Sequence, residues 1–373
     1  MSVLFKTALC VAVATAAAGM ILTLGGPPCS ILLDGEPRFA ALLATTPTRD
    51  RKAAKPLQRR HMSAWWAEMQ DESITPDKEW VKFMRVPRSV FYAVLAQIQD
   101  HAVFSVPDNV GARTVPVAKQ FAAFLLRVGA NEPVHAVRRS LAISEGMVTT
   151  SVRRVAQAIN DVLGYQVCMP LNGTRRKAAV KDMFVRRQFP GAVGIIDCTH
   201  MEISVPTDAR RSGNIAPYYD RKGRPTLTFQ CITTPEARPR FLSVCGGIPG
   251  SAYDTKLLER SDLYQNLKDY LEADEYLAGD CGYALRPWMM RGWANNELTD
   301  GSFISKWRQK CNKFYSGMRI SVERAFGILK ARFRSLGGRL VMRKVVDYRQ
   351  CFKACCILHN ICAEYKSVSV TIW

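Results

Sequence analysis

The sequence predicts an α/β fold with a mixed β-sheet flanked by helices, preceded by an all-helical region. Two observations predict it. Residues 63–165 carry amphipathic helical patterns, whereas from residue 190 the pattern changes to short apolar and β-branched runs that alternate with helical ones. Because apolar strands alternate with amphipathic helices in this half, helices are expected to cover the sheet. At 373 residues the chain is long enough for two such units.

The first 62 residues are predicted to lie outside the fold. Residues 1–45 contain an uncharged run, TALCVAVATAAAGMILTL at 7–24, which is typical of a leader or a membrane anchor. A mispredicted start codon would give the same pattern. Residues 46–62, TPTRDRKAAKPLQRRHM, form a basic linker. That linker is either a disordered joint or a patch for nuclear import or phosphate binding.

The helical region, residues 63–165, ends in a helix-turn-helix-like pair. The segments PVHAVRRSLAIS (133–144) and EGMVTTSVRRVAQAINDVLG (145–164) have the lengths of that motif. The second helix opens with small polar residues followed by Arg153 and Arg154, which would suit entry into a DNA major groove. An ordinary helical bundle is the alternative interpretation.

The second half, residues 190–363, contains the predicted strands and the helices between them. Strands are predicted for AVGIID (192–197), MEISV (201–205), TLTFQCITT (226–234), RFLSVCGG (240–247) and EYLAGD (275–280). Helices are predicted for YDTKLLERSDLYQNL (253–267) and RISVERAFGILKARFRSL (319–336). This order gives a mixed sheet rather than an all-parallel one.

The composition indicates the kind of partner. Lys and Arg number 52 against 32 Asp and Glu, so the net charge is +20, which favours a polyanion such as nucleic acid. The 12 cysteines are dilute and lack zinc-site spacing. We therefore expect reduced, mostly buried thiols and neither a disulfide framework nor a zinc site.

Carboxylates recur at the ends of predicted strands. Asp197 follows GAVGII and Asp280 follows EYLAG, while Glu323 lies beside the apolar stripe of the last predicted helix. Three converging carboxylates would repel one another unless a cation lies between them, and hard oxygen ligands select Mg²⁺ or Mn²⁺. The alternative is that each acid caps a turn or pairs with an arginine. Twelve basic residues between positions 305 and 345 surround Glu323, the one acid there, and favour a phosphate-binding surface.

Six ordered motifs resemble the PIF/Harbinger transposases, the family with a DDE superfamily endonuclease domain. They are IIDCTHMEISVP, YYDRKGRPTLTFQCI, IPGSAYDTKLLERSDLY, AGDCGYALRPWMM, ISVERAFGILKARFRSL and ACCILHNIC. The resemblance as a whole covers about residues 70–363. This sequence departs from the family pattern at Asp220, where an asparagine is usual. Residues 7–24 are not part of the pattern.

The resemblance implies an RNase H-like fold and cut-and-paste DNA transposition. It implies Asp197, Asp280 and Glu323 as the catalytic, metal-binding acids, and Asp254 as a further divalent-metal position; from the residues alone, Asp254 is equally a helix N-cap. Backbone contacts to double-stranded DNA are expected from basic side chains of the motif ISVERAFGILKARFRSL: Arg324, Lys330, Arg332 and Arg334. The family also implies a Myb/SANT-like partner protein and a nuclear location, and self-association stays open.

Four hypotheses for function follow. The leading one is a Mg²⁺- or Mn²⁺-dependent DNA endonuclease and strand-transferase. The second is a domesticated, non-transposing relative that binds DNA or a partner. The third, a membrane-anchored or secreted hydrolase, depends on residues 7–24 alone, so we do not expect a membrane partner. The fourth is cysteine-nucleophile chemistry at Cys198 or Cys281. His200 either positions phosphate or is structural.

Overall fold

The structure is a computed structural model that describes residues 63–105, 115–298, 302–338 and 340–365. The predicted leader (1–45) and basic linker (46–62) lie outside the described residues. In the part of the chain that is described, no helix is long and apolar enough to cross a membrane.

The N-terminal region is helical, as predicted. Its α-helices are α1 (Ala64–Gln70), α2 (Asp77–Met84), α3 (Arg88–Ile98), α4 (Val117–Phe124), α5 (Val134–Leu141), α6 (Glu145–Leu163) and α7 (Arg175–Arg186). α5 and α6 are joined by a short turn, residues 142–144. Ala142 adopts a left-handed conformation that ends α5, and the Ser144 hydroxyl caps α6 by accepting the N–H of Met147 at 3.1 Å.

A five-stranded mixed sheet forms the second half. The strands are β1 (Ala192–Glu202), β2 (Thr226–Thr233), β3 (Phe241–Pro249), β4 (Tyr276–Ala278) and β5 (Met289–Met290). Their order is β3-β2-β1-β4-β5. β1, β2 and β3 pair antiparallel, and β4 and β5 run parallel to β1. The predicted mixed α/β fold is confirmed, and the order is consistent with the RNase H-like fold that the resemblance implies.

Helices follow and cover the sheet. They are α8 (Thr207–Ser212), α9 (Asp254–Glu259), α10 (Asp262–Gln265), α11 (Leu267–Tyr270), α12 (Phe303–Arg332) and α13 (Val345–Glu364). The two long ones, α12 and α13, both contact β-strands of the sheet. α13 buries nearly its whole length, which matches its predominantly apolar sequence.

Three predicted elements were wrong in extent. The segments 192–197 and 201–205 form one strand, because Cys198, Thr199 and His200 stay paired with β2 despite their polarity. The single helix predicted over 253–267 is three short helices, with the Ser261 hydroxyl capping the second. The helix predicted over 319–336 is α12, which begins at Phe303. It starts earlier because Cys311, Tyr315 and Met318 extend its buried stripe at helical spacing.

The helical region and the sheet share one hydrophobic core. Buried side chains continue without a break from α1 to α13. Polar bonds cross the same boundary, since Asn360 Nδ2 donates to the Gln166 carbonyl at 2.8 Å and Asn160 Nδ2 donates to the Gln350 carbonyl at 2.9 Å. Arg85 donates to the carbonyl of Ala331 at 2.8 Å, near the C-terminus of α12. α12 is therefore fixed by both halves.

The cysteines behave largely as expected. The ten described cysteines form no disulfide, and six of them are buried: Cys231, Cys311, Cys351, Cys355, Cys356 and Cys362. Burial raises the pKa of the Cys355 and Cys356 thiols well above the usual value, so these groups stay protonated within the core.

A buried histidine in α13 makes stability depend on pH. His359 is 2 % exposed and its Nε2 lies 2.9 Å from the Pro239 carbonyl, so the ring is a neutral donor; burial and the nearby Arg332 lower its pKa to about 3. The unfolded chain takes up a proton at this histidine below about pH 6.5, whereas the folded chain does not. We expect this residue to reduce the free energy of unfolding by about 2 kcal/mol on going from pH 7.5 to pH 5.

Urea unfolding at both pH values would measure that loss. His359→Gln should remove this part of the pH dependence, while His135→Gln, at an exposed position of α5, serves as the matched control. Equal pH dependence in the wild type and in His359→Gln would contradict the assignment.

Candidate active site

Asp197 lies at the edge of the sheet where β4 has ended. β1 pairs with β4 only as far as Ile195, which faces Ala278, the last residue of β4. Asp197 therefore follows the end of this pairing, while its other neighbour, β2, still pairs with it at Cys231. The two strands that precede Asp197 and Asp280 are neighbours and run parallel, so both acids leave the sheet on the same side.

The turn after β4 fills the space beside Asp197. Gly279 is required there, because a Cβ at this position would lie 2.8 Å from the ring of Tyr283. Asp280 Oδ1 accepts the N–H of Gly282 at 3.0 Å, which fixes the turn. Tyr283 is buried, and its hydroxyl accepts from Gln230 Nε2 at 2.9 Å and lies 3.5 Å from Cys198 Sγ. This contact ties the turn to β1 and β2.

The charge on Asp197 is balanced within the protein. Its Oδ1 accepts the N–H of Cys198 at 2.8 Å, and its Oδ2 pairs with the Arg319 guanidinium at 3.2 Å. Burial raises the pKa of Asp197 to about 6, the Asp280 charge adds to this rise, and Arg319 opposes it. A partly buried carboxylate of raised pKa is a typical active-site feature.

Asp254 belongs to the same region. Its carbonyl accepts from Gln230 Nε2 at 3.3 Å, and a Cβ built on Gly282 would lie 3.6 Å from Asp254 Oδ2 and 3.0 Å from Asp280 Oδ1. The two carboxylates thus border the same glycine. The N-cap of α9 is Tyr253, with no side-chain cap, so the capping interpretation does not account for Asp254.

Glu323 is not part of this contact network. It is exposed on α12 one helical turn beyond Arg319, and no ion pair connects it to another residue among those the structure describes. Over residues 63–105, 115–298, 302–338 and 340–365, no group of three His, Cys, Asp or Glu side chains is arranged to hold a metal ion. The convergence of Asp197, Asp280 and Glu323 on a metal stays a prediction.

The basic residues of the motif ISVERAFGILKARFRSL differ in accessibility. Arg324 and Arg334 are exposed. Lys330 Nζ donates to the His200 carbonyl at 2.9 Å, and Arg332 Nη1 reaches the His359 carbonyl at 3.5 Å, so these two side chains also bind the protein's own backbone. In the helix-turn-helix-like pair, Arg153 is exposed and Arg154 half-buried on α6. Contacts of these six residues with DNA stay predictions.

His200 lies on the face of β1 opposite to Asp197. Its Nδ1 is 3.3 Å from the Thr228 hydroxyl, directly across the β1–β2 pair, and 3.4 Å from the Thr226 hydroxyl. Partial burial lowers its pKa below the usual value, although Asp220 and Asp254 oppose this. The ring is exposed at one side, so both the structural and the phosphate-positioning interpretations fit.

Cysteine-nucleophile chemistry is disfavoured at Cys198. Burial, with Asp254 and Asp197 close by, raises the pKa of its thiol far above the usual value, whereas a nucleophilic cysteine needs a lowered pKa. Cys281 is exposed, and its thiol lies 3.6 Å from the Gly292 carbonyl.

Sequence reasoning missed three residues that organise the site: Gln230, Tyr283 and Arg319. Each had a signal. Gln230 is the amide in the otherwise apolar TLTFQCI strand, Tyr283 ends the GDCGY motif, and Arg319 precedes Glu323 by one helical turn. A lone amide in a buried strand requires hydrogen-bond partners, and here it bonds to both Tyr283 and Asp254.

The comparison with protein families agrees with this geometry. Residues 196–360 match the model of the DDE superfamily endonuclease family, a range that contains every acid discussed above. This part of the chain is similar to a DDE superfamily endonuclease domain. The match begins one residue before Asp197 and ends within α13.

Several curated relatives resemble the chain. "Putative nuclease HARBI1" of Homo sapiens is 26% identical over 231 residues, which is 61% of this chain and 61% of the relative. "Protein ALP1-like" of Arabidopsis thaliana is 24% identical over 254 residues, 64% of this chain and 59% of the relative. The chain thus spans about three-fifths of the length of the curated relatives it matches. No solved structure matches it at a significant level.

Proposed function

We propose that this chain is a divalent-metal-dependent DNA endonuclease and transposase of the PIF/Harbinger type. It would cut phosphodiester bonds at element ends and join them to target DNA. The observation that carries the proposal is the placement of Asp197 and Asp280 after the ends of neighbouring parallel strands, with Asp254 and Asp280 bordering the same glycine. These residues lie inside the range that matches the DDE superfamily endonuclease family, and the relatives named above include "Putative nuclease HARBI1".

The donor set fits a hard cation. Asp197, Asp254 and Asp280 offer only carboxylate oxygens, the ligand type that suits Mg²⁺ and Mn²⁺, and we assign them with Glu323 as the metal-binding residues. A bound divalent cation there would activate an attacking oxygen and stabilise the leaving oxygen of a phosphodiester. Arg319 now holds Oδ2 of Asp197, so full use of that carboxylate requires the guanidinium to shift.

Other residues of the chain would orient the Asp280 carboxylate and bind the DNA. Gln230 and Tyr283 hold the turn that carries Asp280 against β1 and so orient its carboxylate. Exposed Arg324 and Arg334 would hold the phosphate backbone of double-stranded DNA, and Arg153 would contact DNA through the helix-turn-helix-like pair. A Myb/SANT-like partner protein, self-association and a nuclear location belong to the same proposal.

A domesticated relative that binds DNA without transposing is the second candidate. The Arg319–Asp197 ion pair favours it, since it neutralises one acid within the protein. So does the exposed position of Glu323, apart from the aspartates.

Nicking of end-labelled duplex DNA by the full chain tests the proposal. Reactions would contain Mg²⁺, Mn²⁺, Ca²⁺ or EDTA, with DNA binding followed by fluorescence anisotropy in the same buffers. We expect nicking with Mg²⁺ or Mn²⁺ and none with EDTA. Salt-sensitive DNA binding without nicking would favour the domesticated relative, and absence of both would overturn the proposal.

A further inference from the structure

A cavity that the proposed chemistry does not use lies beside α9. Its volume is about 250 Å³. Pro217 and Pro249 contribute an apolar wall, and Tyr253, Lys256 and Arg260 contribute the aromatic and basic side. Sites for drug-sized ligands usually measure ~300–1,000 Å³, so this cavity suits a smaller group.

The basic side of the cavity is formed by α9 and its two flanking residues. Lys256 lies within the helix, and Tyr253 and Arg260 are its N-cap and C-cap residues. α9 is anchored by buried Leu257 and Leu258. The three side chains are therefore presented by a fixed element, and substitutions among them leave its packing intact.

These side chains have no structural task in the described part of the chain. Tyr253 is 64% exposed, an unusual position for a large aromatic side chain. Lys256 and Arg260 are also exposed, and neither forms an ion pair with another described residue. An exposed aromatic ring beside two free cations is the combination that stacks a base and holds its phosphate.

The chain links the cavity to the aspartates. Tyr253, which lines the cavity, is followed by Asp254, whose carboxylate borders Gly282 together with that of Asp280. A nucleotide in the cavity would belong to the same DNA as a phosphodiester placed at the aspartates. An enzyme that acts on a strand end gains from taking one nucleotide out of the stack, because this orients the neighbouring phosphate.

We propose that this cavity binds one unpaired nucleotide of the DNA substrate, with its base on Tyr253 and its phosphate between Lys256 and Arg260. The inference rests on the proposed function, since it names the form of DNA that the same site takes. It predicts a preference for DNA with an unpaired nucleotide over fully paired duplex. A free nucleotide has the same chemistry, but Asp254, next to Tyr253 in the chain, and the net charge of +20 favour a polymer.

Binding to two duplexes tests this inference without cleavage. Fluorescence anisotropy with the full chain in EDTA would compare a fully paired duplex with one that has a single unpaired nucleotide. We expect the second to bind about tenfold more tightly, and Tyr253→Ala to remove most of this preference, while Tyr253→Phe retains it. Tyr165→Ala, at a position that is 52% exposed in a different part of the chain, is the matched control and should keep the preference.

The phosphate contacts have a separate readout. Lys256→Gln and Arg260→Gln should each lower the slope of log affinity against log salt concentration by about one for the unpaired substrate. Lys78→Gln and Lys82→Gln, exposed on α2, are matched controls for charge. Unchanged slopes in the α9 variants would remove Lys256 and Arg260 from the site.

Each remaining outcome has one meaning. A preference that persists in Tyr253→Ala overturns the inference even if the wild type nicks DNA. A Tyr253-dependent preference in a protein that does not nick leaves the inference intact while the proposed nuclease fails. Equal competition by a deoxynucleoside monophosphate would identify a free nucleotide as the ligand, and equal competition by an acidic peptide would show simple charge attraction; both overturn a DNA-strand site.

Discussion

Asp280→Asn is expected to reduce Mg²⁺- or Mn²⁺-dependent nicking by about 10³-fold or more, because several kcal/mol of transition-state stabilisation depend on the metal. The substitution is nearly isosteric. An asparagine oxygen can still accept the N–H of Gly282, which Asp280 Oδ1 accepts now at 3.0 Å, so the turn after β4 is retained. What is lost is the negative charge, which a divalent cation needs for tight binding.

Matched variants separate this effect from general damage. Asp197→Asn should give a loss of similar size, whereas Asp182→Asn, an exposed acid of α7, should retain nicking. Mn²⁺ titration followed by electron paramagnetic resonance should show weakened metal binding in both active-site variants. Wild-type nicking by Asp280→Asn would remove the acidic cluster from the mechanism.

Glu323→Gln tests the third acid of the resemblance. A loss equal to that of Asp280→Asn would show that Glu323 joins the aspartates once DNA and metal are bound. Retained nicking would leave Asp197, Asp254 and Asp280 as the complete set. This distinction matters because Arg319, one turn before Glu323, is the α12 side chain that reaches Asp197 in the structure.

The strand-end acids could be predicted because local pattern and sheet geometry agree. An apolar run that ends in a single carboxylate marks a strand end, and parallel strands end at the same edge of a sheet. β1 and β4 fulfil both conditions, so Asp197 and Asp280 follow the ends of neighbouring parallel strands. The same logic cannot place Glu323. Its helical stripe gives the face of α12 but not the distance of that face from the strand ends.

Features that depend on long-range packing were not predictable. β5 has two residues, too few for a periodic signal, and forms because it pairs with β4. The early start of α12 depends on burial of Tyr315, whose hydroxyl donates to the carbonyls of Gly279 and Met290 at 2.8 Å. The cavity beside α9 joins residues near positions 217, 249 and 253, and no local window contains all three.

A buried ionic cluster ahead of Asp280 gives the second large expected effect. Glu275 precedes β4 and its side chain is fully buried; its Oε2 lies 2.7 Å from Lys177 Nζ and its Oε1 lies 2.8 Å from Lys181 Nζ. Lys177 is also buried and donates to Asn172 Oδ1 at 2.8 Å. The cluster fastens α7 to the strand that delivers Asp280, because both lysines belong to α7.

Glu275→Gln is expected to lower the free energy of unfolding by about 3–5 kcal/mol, since it leaves a buried ammonium without its counter-charge. Urea unfolding at pH 7.5 would measure the change. Glu272→Gln is the matched control: its ion pair with Lys181 at 3.3 Å is largely exposed, and we expect a loss of about 0–1 kcal/mol. A loss below that of the control would show that the buried pair contributes nothing to stability.

The same residue should make stability sensitive to acid. Burial raises the pKa of Glu275, but the N–H of Glu272 and the two lysines outweigh burial, so the folded-state pKa is lower than usual. A lowered carboxyl pKa stabilises the fold above the unfolded-state value, and this contribution is lost as the pH falls through the folded-state value. Wild-type stability should therefore fall more steeply than that of Glu275→Gln below about pH 4.5.

A double variant distinguishes whether the stability lost in Glu275→Gln comes from the unpaired charge or from other contacts of Lys177. In Glu275→Gln with Lys177→Met, the buried ammonium is removed together with its partner, so part of the lost stability should return. Recovery would assign the loss in the single variant to the unpaired charge. No recovery would mean that Lys177 stabilises the fold mainly through Asn172 and the Tyr270 carbonyl, to which its Nζ also donates. In either case, since β4 leads directly into Asp280, nicking by these variants should decline with the folded fraction rather than with metal affinity.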